Sequence, residues 1–222
     1  SLFFYMIDTM IFSATAGKDT NTLLWKTSKN SSVIFKQNNK DSLQKTYNKA
    51  IDFAMQENVQ NLVLVHDDVI LENYSEEKLN LLFKKYDLIG CAGTTKVNLT
   101  KPALWHLMGG GLGSPNLHGA VAHGTRDEKH MTPFGSYPHR VVLIDGVFMA
   151  IKREVFKKVK FDESCPSKWH FYDLDYSMQC HKAGFKVGVG DIIVTHNSPG
   201  LTSFTDEFNK GQDWFIEKWK TK

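Results

Sequence analysis

The sequence has few cysteines and no long hydrophobic run. The three cysteines are an odd number without a CxxC pair, which argues against both a disulfide framework and a zinc ribbon. Scattered thiols are typical of a reducing compartment, so we expect a cytoplasmic protein, with the inner face of a membrane as a further place of action. Residues 2–15 are apolar, but they lack a cationic n-region and Asp8 interrupts them. We therefore interpret this stretch as a buried first strand and not as a signal peptide.

Excess charge of either sign is also absent. The 27 basic and 24 acidic residues leave a formal net charge of +3 at pH 7. No dense basic run is present, so we expect no nucleic-acid partner. With 222 residues, 41% of them hydrophobic, the chain is long enough for one domain with a single core.

Short apolar runs alternate with helical patterns in the first half of the chain. Predicted strands cover residues 10–15, 32–36, 61–65 and 87–92, and predicted helices cover 19–27, 43–54 and the residues after Ser75. In the helix at 43–54, either Asp41 or Ser42 can cap the N-terminus. This alternation predicts an α/β fold with a mostly parallel central sheet flanked by helices. Ligands in such sheets bind beyond the carboxyl ends of the strands.

The second half is less regular. Residues 94–140 show no sustained period, so we predict a loop-rich segment that includes the histidines at positions 118, 123 and 130. Those histidines lack compact zinc spacing. Regular structure is predicted again at 141–151, 153–157, 169–183, 192–195 and 204–220.

Two adjacent carboxylates, Asp67 and Asp68, follow the apolar strand 61–65, with His66 before them. Adjacent carboxylates repel each other unless a cation or hydrogen bonds compensate. Carboxylates completed by substrate phosphates are ligands that Mg²⁺ or Mn²⁺ accepts. The pattern indicates either a metal site or an acidic turn that caps the next helix.

A second acidic pair lies in the helix at 169–183. Asp173 and Asp175 lie on either side of a face formed by Leu174, Met178 and His181, which we expect to be the core side. At most one of the two carboxylates therefore serves a given site. Asp173 lies in the first turn, where the helix dipole favours the ionised form, so it is a candidate base. The alternative is simple stabilisation of the helix start.

A histidine ends the late strand. His196 precedes a Pro-Gly turn at 199–200 and is a candidate third metal ligand. The alternative is an ordinary hydrogen-bonded histidine.

Taken together, these pieces resemble the GT-A-fold glycosyltransferases, particularly family 2-like enzymes. LVLVHDDVIL at 62–71 resembles the DxD segment, and DGVFMA at 145–150 resembles the acceptor-side strand. FDE at 161–163 with FYDLDY at 171–176 resembles the family's second acidic block, and AGFKV at 183–187 follows as in the family. The resemblance runs from about residue 10 to residue 200. It departs from the family at His66, the first position of the DxD motif, and at Tyr172, where many relatives have Glu.

The resemblance implies a Rossmann-like, nucleotide-sugar-binding fold in a single catalytic domain, residues 1–222. Residues 1–93 would form the donor half, 94–200 the acceptor and catalytic half, and 201–222 a C-terminal helix. The implied activity is that of a metal-dependent, inverting glycosyltransferase of hexosyltransferase type, acting in polysaccharide or glycan biosynthesis. Its donor would be a UDP-, GDP- or dTDP-type sugar, its acceptor a hydroxyl of a glycan or another molecule, and its cofactor Mn²⁺ or Mg²⁺.

The resemblance also implies roles for individual residues. Asp173 would be the base, because Tyr172 replaces the family's Glu. Asp68 and His196 would hold the metal, with His66 as a further candidate ligand. The implied donor-binding residues are Ser13, Ala14, Thr15, Asn48, Asp67 and Asp68. The implied acceptor or lid residues are Trp105, Gly109, Gly110, Gly111, Asp145, Gly146 and His170. The alternative to a lid is that the glycine stretch is a flexible surface connection.

Two other functions compete with this interpretation. A metal-dependent phosphoesterase could use Asp67, Asp68, His196 and a loop histidine, and a degenerate nucleotide- or sugar-binding module would fit the unusual His66. The terminal helix carries Trp214, Phe215 and Trp219 among lysines. It would pack on the sheet or contact a membrane surface or partner.

Overall fold

The computed structural model describes residues 8–28, 33–198 and 204–220. Its strands are β1 (Thr9–Ala14), β2 (Val33–Lys36), β3 (Asn61–Val65), β4 (Val69–Leu71), β5 (Leu88–Gly90), β6 (Ala92–Thr94), β7 (Leu117–Gly124), β8 (Lys129–Gly135), β9 (His139–Arg140), β10 (Leu143–Ile144), β11 (Phe148–Lys152), β12 (Val187–Val189) and β13 (Val194–His196). Its helices are α1 (Leu23–Thr27), α2 (Leu43–Gln56), α3 (Glu76–Phe83), α4 (Trp105–Met108), α5 (Arg153–Phe156), α6 (Tyr172–Lys182) and α7 (Asp206–Trp219).

The larger sheet has seven strands in the order β2-β1-β3-β11-β5-β12-β9. Strands β2, β1, β3, β5 and β12 run in one direction, whereas β11 and β9 run against them. The α/β class with a mostly parallel sheet is confirmed, and the antiparallel β11 makes the sheet mixed. The apolar run of β3 is buried between layers, as the lack of alternation predicted.

A second sheet has the order β10-β6-β7-β13-β4, with β8 paired to β7. The chain passes between the two sheets several times, and three of these passages are short: after β3, after β5 and before β11. At these three passages lie residues 66–68, Cys91 and residues 145–147. Two of these three are candidate site segments, so the site forms at the junction of the sheets.

Helix α2 follows the sequence prediction closely. Ser42 is its N-cap and accepts a hydrogen bond from the backbone N–H of Lys45. Asp41, the other candidate cap, instead forms ion pairs with Lys45 and Lys49. The buried face contains the five predicted apolar residues, Leu43, Tyr47, Ala50, Ile51 and Ala54.

The prediction of a loop-rich segment at 94–140 is wrong. Strands β7 and β8 form a hairpin there, and His118 and His123 lie on β7 while His130 lies on β8. The strand LHGAVAHG is rich in small residues and is buried over its first six positions, so it shows no polar alternation. The glycine stretch does follow α4 as a connection, with positive φ at Gly110, Gly111 and Gly113.

Helix α6 begins at Tyr172, three residues later than predicted, because Phe171 adopts a left-handed conformation with φ of 67°. The expected core face is wrong in part: Leu174 is buried, but His181 is exposed. Of the other predictions, residues 2–7, Ser32 and the turn at 199–200 lie outside the described ranges.

Helix α7 buries Phe208, Phe215 and Trp219. The rings of Phe208 and Phe215 lie 5.1 and 6.1 Å from that of Phe171. This helix therefore packs on the start of α6, and contact with a membrane or partner stays a prediction. None of the helices in the described ranges is long and apolar enough to cross a membrane.

Candidate active site

A cleft of about 490 Å³ opens at the carboxyl ends of β1 and β3. The segment from Thr15 to Lys18 lines one side, Lys26 of α1 lines another, and Asp67 and Asp68 close it from β3. The cleft thus lies where parallel strands of an α/β sheet place ligands, as expected. It combines two cationic side chains with two carboxylates.

Three of the predicted donor residues lie outside the lining of this cleft. Ser13 is fully buried within β1, and Ala14 is the last residue of that strand. The Asn48 amide donates to the carbonyl oxygen of Phe161 and to the Glu163 carboxylate, while its own oxygen accepts from the Phe161 N–H. Asn48 therefore ties α2 to the segment before α6.

His66, Asp68 and His196 form a compact cluster next to the cleft. One ligand atom from each lies within 4.8 Å of those of the other two. Strand β13 pairs antiparallel with β4 so that His196 lies opposite Val69, and the N–H of Asn197 donates to the carbonyl oxygen of Asp68. This register places His196 Nε2 3.2 Å from Asp68 Oδ1.

The charges within this cluster depend on each other. Burial alone would raise the pKa of Asp68, but the neighbouring His196 outweighs burial and lowers it. Burial alone would lower the pKa of His196, but the Asp68 carboxylate raises it. The pKa of His66 is lowered by burial and by His196, so its neutral form is favoured. A neutral imidazole is the form that binds metal.

The cluster fits a divalent cation. Asp68 Oδ1 is buried, and His196 Nε2, 3.2 Å away, compensates its charge. A divalent cation can take the place of the His196 proton between these two ligand atoms. Two imidazoles with one carboxylate suit a transition-series ion such as Mn²⁺ better than Mg²⁺, which prefers oxygen ligands.

Asp173 lies on the first turn of α6 and accepts a hydrogen bond from the backbone N–H of Gly146, 2.8 Å from its Oδ2. Burial, together with the charge of Asp145, raises the pKa of Asp173 to about 7. Burial therefore opposes the helix dipole, which we expected to favour the ionised carboxylate. Burial outweighs the dipole and the backbone donors, and the result suits a base that works near pH 7.

Asp145 and Gly146 form the passage between β10 and β11. Asp145 Oδ1 accepts from the N–H of Val147, which holds the turn. A Cβ on Gly146 would lie 2.3 Å from the Tyr172 hydroxyl, so only glycine lets that phenol approach. Gly146 thus contacts the start of α6 directly, and Asp145 precedes it in the same turn.

The remaining acceptor or lid candidates lie in different surroundings. Trp105 is buried against Phe134, with ring centroids 5.2 Å apart, and its role at the acceptor stays a prediction. His170 packs on Phe208 of α7, with ring centroids 5.2 Å apart. Gly109, Gly110 and Gly111 follow α4, and their role as a lid stays a prediction.

Sequence reasoning missed several neighbours of the cluster. His123 pairs with His196 in the parallel ladder between β7 and β13, and Lys18 and Lys26 line the cleft. Tyr172, noted only as a departure from the family pattern, lies 2.7 Å from His66 Nε2. The replacement of the family's Glu by Tyr172 was the signal in the sequence that could have pointed to this contact.

The fold is similar to two solved structures of low sequence identity. The structure of A197 from STIV has a TM-score of 0.54 and 14% identity, covering 90% of this chain and 87% of that chain. The structure of GalNAc-T7 with UDP, GalNAc and Mn²⁺ has a TM-score of 0.57 and 12% identity, covering 97% of this chain and 48% of that one. This chain therefore spans about half the length of GalNAc-T7. At these identities the likeness concerns the fold, and the expected GT-A fold is confirmed.

The sequence was also compared with curated proteins and with family models. No curated protein matches it. A family model described as a glycosyltransferase-like family matches residues 13–219.

Proposed function

The chain belongs to the glycosyltransferase-like family, and from that premise we propose that it transfers a sugar from a nucleoside diphosphate sugar to a hydroxyl acceptor, with inversion at the anomeric carbon and with a divalent cation. The observation that carries this proposal is the cluster of His66, Asp68 and His196 beside the cleft at the ends of β1 and β3. Metal ligands and a nucleotide-sized cleft at one sheet edge are what such a donor requires.

The donor would occupy the cleft. Lys18 and Lys26 supply positive charge for a diphosphate, and Asp67 supplies a carboxylate that can accept hydrogen bonds from ribose hydroxyls. The backbone around Thr15 would meet the nucleoside, with Ser13 and Ala14 supporting it from within β1. UDP, GDP and dTDP sugars all remain candidate donors under this proposal.

His66, Asp68 and His196 would hold Mn²⁺ or Mg²⁺, and the two imidazoles favour Mn²⁺. When bound, the cation supplies positive charge that stabilises the leaving diphosphate.

Asp173 would accept the proton of the attacking acceptor hydroxyl. Its pKa of about 7 leaves a useful fraction ionised at neutral pH while keeping it basic enough to take a proton. Asp145, Gly146 and His170 would form the acceptor side around it. The exposed Trp169, 43% accessible, offers a ring face to a glycan there.

The test is a thermal-shift panel of nucleoside diphosphate sugars with and without Mn²⁺. We expect one nucleotide class to raise the melting temperature only with Mn²⁺, because ligands that bind the native state stabilise it. Asp68→Asn should abolish this shift, whereas Asp127→Asn, an exposed acidic residue in the β7–β8 turn, should keep it.

Turnover then separates the candidate functions. Release of nucleoside diphosphate that depends on an added hydroxyl acceptor would support the transferase. Metal-dependent hydrolysis of simple phosphate esters would favour the phosphoesterase instead. Nucleotide binding without turnover, under any acceptor, would favour the degenerate binding module.

A further inference from the structure

Tyr172 links the proposed metal cluster to the turn before β11. Its hydroxyl oxygen lies 2.7 Å from His66 Nε2 and 3.2 Å from the carbonyl oxygen of Gly146. The side chain is buried, and its ring packs edge-on against Tyr47, with centroids 5.5 Å apart. A buried phenol held in this way has a defined direction for its single proton.

The two contacts together determine which nitrogen of His66 carries a proton. The Gly146 carbonyl can only accept, so it takes the phenol proton. The phenol oxygen then accepts from His66, which requires a proton on Nε2. In a neutral imidazole with Nε2 protonated, the lone pair lies on Nδ1.

We propose that Tyr172 is a positioning residue that fixes His66 as the Nε2–H tautomer and so leaves Nδ1 as its metal-ligand atom. This inference rests on the proposed function in that it takes His66 as a ligand. Groups that bind the second nitrogen of a ligand histidine fix its tautomer and orientation, and their loss typically weakens metal binding about 10–100-fold.

The surroundings of Tyr172 are built for this contact. Gly146 leaves room that a Cβ would fill at 2.3 Å from the hydroxyl. The preceding Phe171 has a φ of 67°, and its ring is held by Phe208 and Phe215 of α7. This unusual conformation is the point from which α6 starts and Tyr172 points toward His66.

The first experiment measures the tautomer directly in the metal-free protein. Nitrogen NMR of histidine-labelled protein, with His66 assigned through its loss in His66→Asn, should show Nε2 protonated and Nδ1 free. A proton on Nδ1 would overturn the inference, because the phenol would then be donating to His66. This measurement needs only the wild-type fold.

The second experiment measures Mn²⁺ binding by calorimetry in the absence of any donor. Tyr172→Phe should weaken Mn²⁺ binding about 10–100-fold. Tyr176→Phe is the matched control, since Tyr176 is a buried tyrosine of the same helix whose hydroxyl donates to the Val159 carbonyl. It should bind Mn²⁺ as the wild type does.

Unchanged Mn²⁺ affinity in Tyr172→Phe, or no Mn²⁺ binding by the wild type, would also overturn the inference. The transferase proposal is tested separately by acceptor-dependent release of nucleoside diphosphate. A protein that shows that turnover but no effect of Tyr172 would keep the function and lose only this role.

Discussion

Two carboxylates on helix α6 lie two residues apart and have opposite surroundings. Asp173 points to the sheet junction, where the Gly146 N–H is among its backbone hydrogen-bond donors and its charged neighbour is Asp145. Asp175 points to α7, where Lys218 lies 2.8 Å away and the Trp219 indole N–H donates at 2.9 Å.

Burial raises the pKa of both carboxyls, but only Asp175 has a cation to oppose it. A buried carboxyl with a cation holds two helices together, whereas one beside another acid is suited to moving a proton. The side of α6 that carries Asp175 is therefore called its architectural side, and the side that carries Asp173 its chemical side.

The largest expected effect is on turnover. Asp173→Asn should lower kcat about 10²–10⁴-fold, because the amide cannot take a proton from the acceptor. The amide oxygen can still accept from the Gly146 N–H, so Mn²⁺ and donor binding should stay nearly unchanged. The measurement is acceptor-dependent release of nucleoside diphosphate, with donor affinity by calorimetry.

Asp175→Asn is the matched control on the other side of α6. It should keep kcat per folded molecule while lowering stability. Full activity in Asp173→Asn, or equal kcat losses in the two variants, would break the comparison and remove Asp173 as the base.

The next effect is on stability. Lys218 joins Asp175 and Asp162, with contacts of 2.8 and 2.6 Å, and its side chain is 18% exposed. Lys218→Met should cost about 3 kcal/mol, because Asp175 stays buried without its cation. For a domain of this size that is a fall of roughly 6–12 °C in the melting temperature.

Lys220→Met provides the control, since Lys220 pairs with Glu217 at the exposed end of the same helix. Such surface pairs contribute about 0–1 kcal/mol. Equal changes in the melting temperatures of the two variants would mean that the Lys218 pairs do not hold α7.

The first part of the chain, up to β4, was largely predictable from the sequence, since its signals are local. The unbroken apolar run of β3, the spacing of α2 and the carboxylates after β3 all lie within short windows. The sheet order then places the end of β3 beside the end of β1 without further information. Placing His196 beside Asp68 requires one long-range strand pairing. Its position at the end of a predicted strand was enough to suggest it as a metal ligand.

The rest depends on contacts that no short window contains. The β7–β8 hairpin is made of small and polar residues whose pairing, not their pattern, makes them strands. The raised pKa of Asp173 depends on burial and on Asp145 from another segment. The Tyr172 contact with His66 joins positions 106 residues apart. The local electrostatics of the helix start were therefore not enough to predict the raised pKa of Asp173.

The last expected effect is a pH-dependent gain in stability on the chemical side of α6. The pKa of Asp173 is about 7 in the folded protein and about 3.8 ordinarily, so the native state keeps a proton that the unfolded chain releases in between. The free energy of unfolding therefore falls as pH rises from about 4 to about 7, and the full cost is present above pH 7.

Asp173→Asn removes that cost. Without metal, the variant should match the wild type near pH 4 and exceed it at pH 8 by roughly 4 kcal/mol, or about 8–16 °C in melting temperature. Taking the difference between the two proteins at each pH removes the contribution of every group that they share. Asp127→Asn should show no such trend, since its carboxylate is exposed. A difference between Asp173→Asn and wild type that stays constant from pH 4 to pH 8 would mean that Asp173 is not held protonated by the fold. Asp173 and Asp175 would then differ only in the direction in which their side chains point.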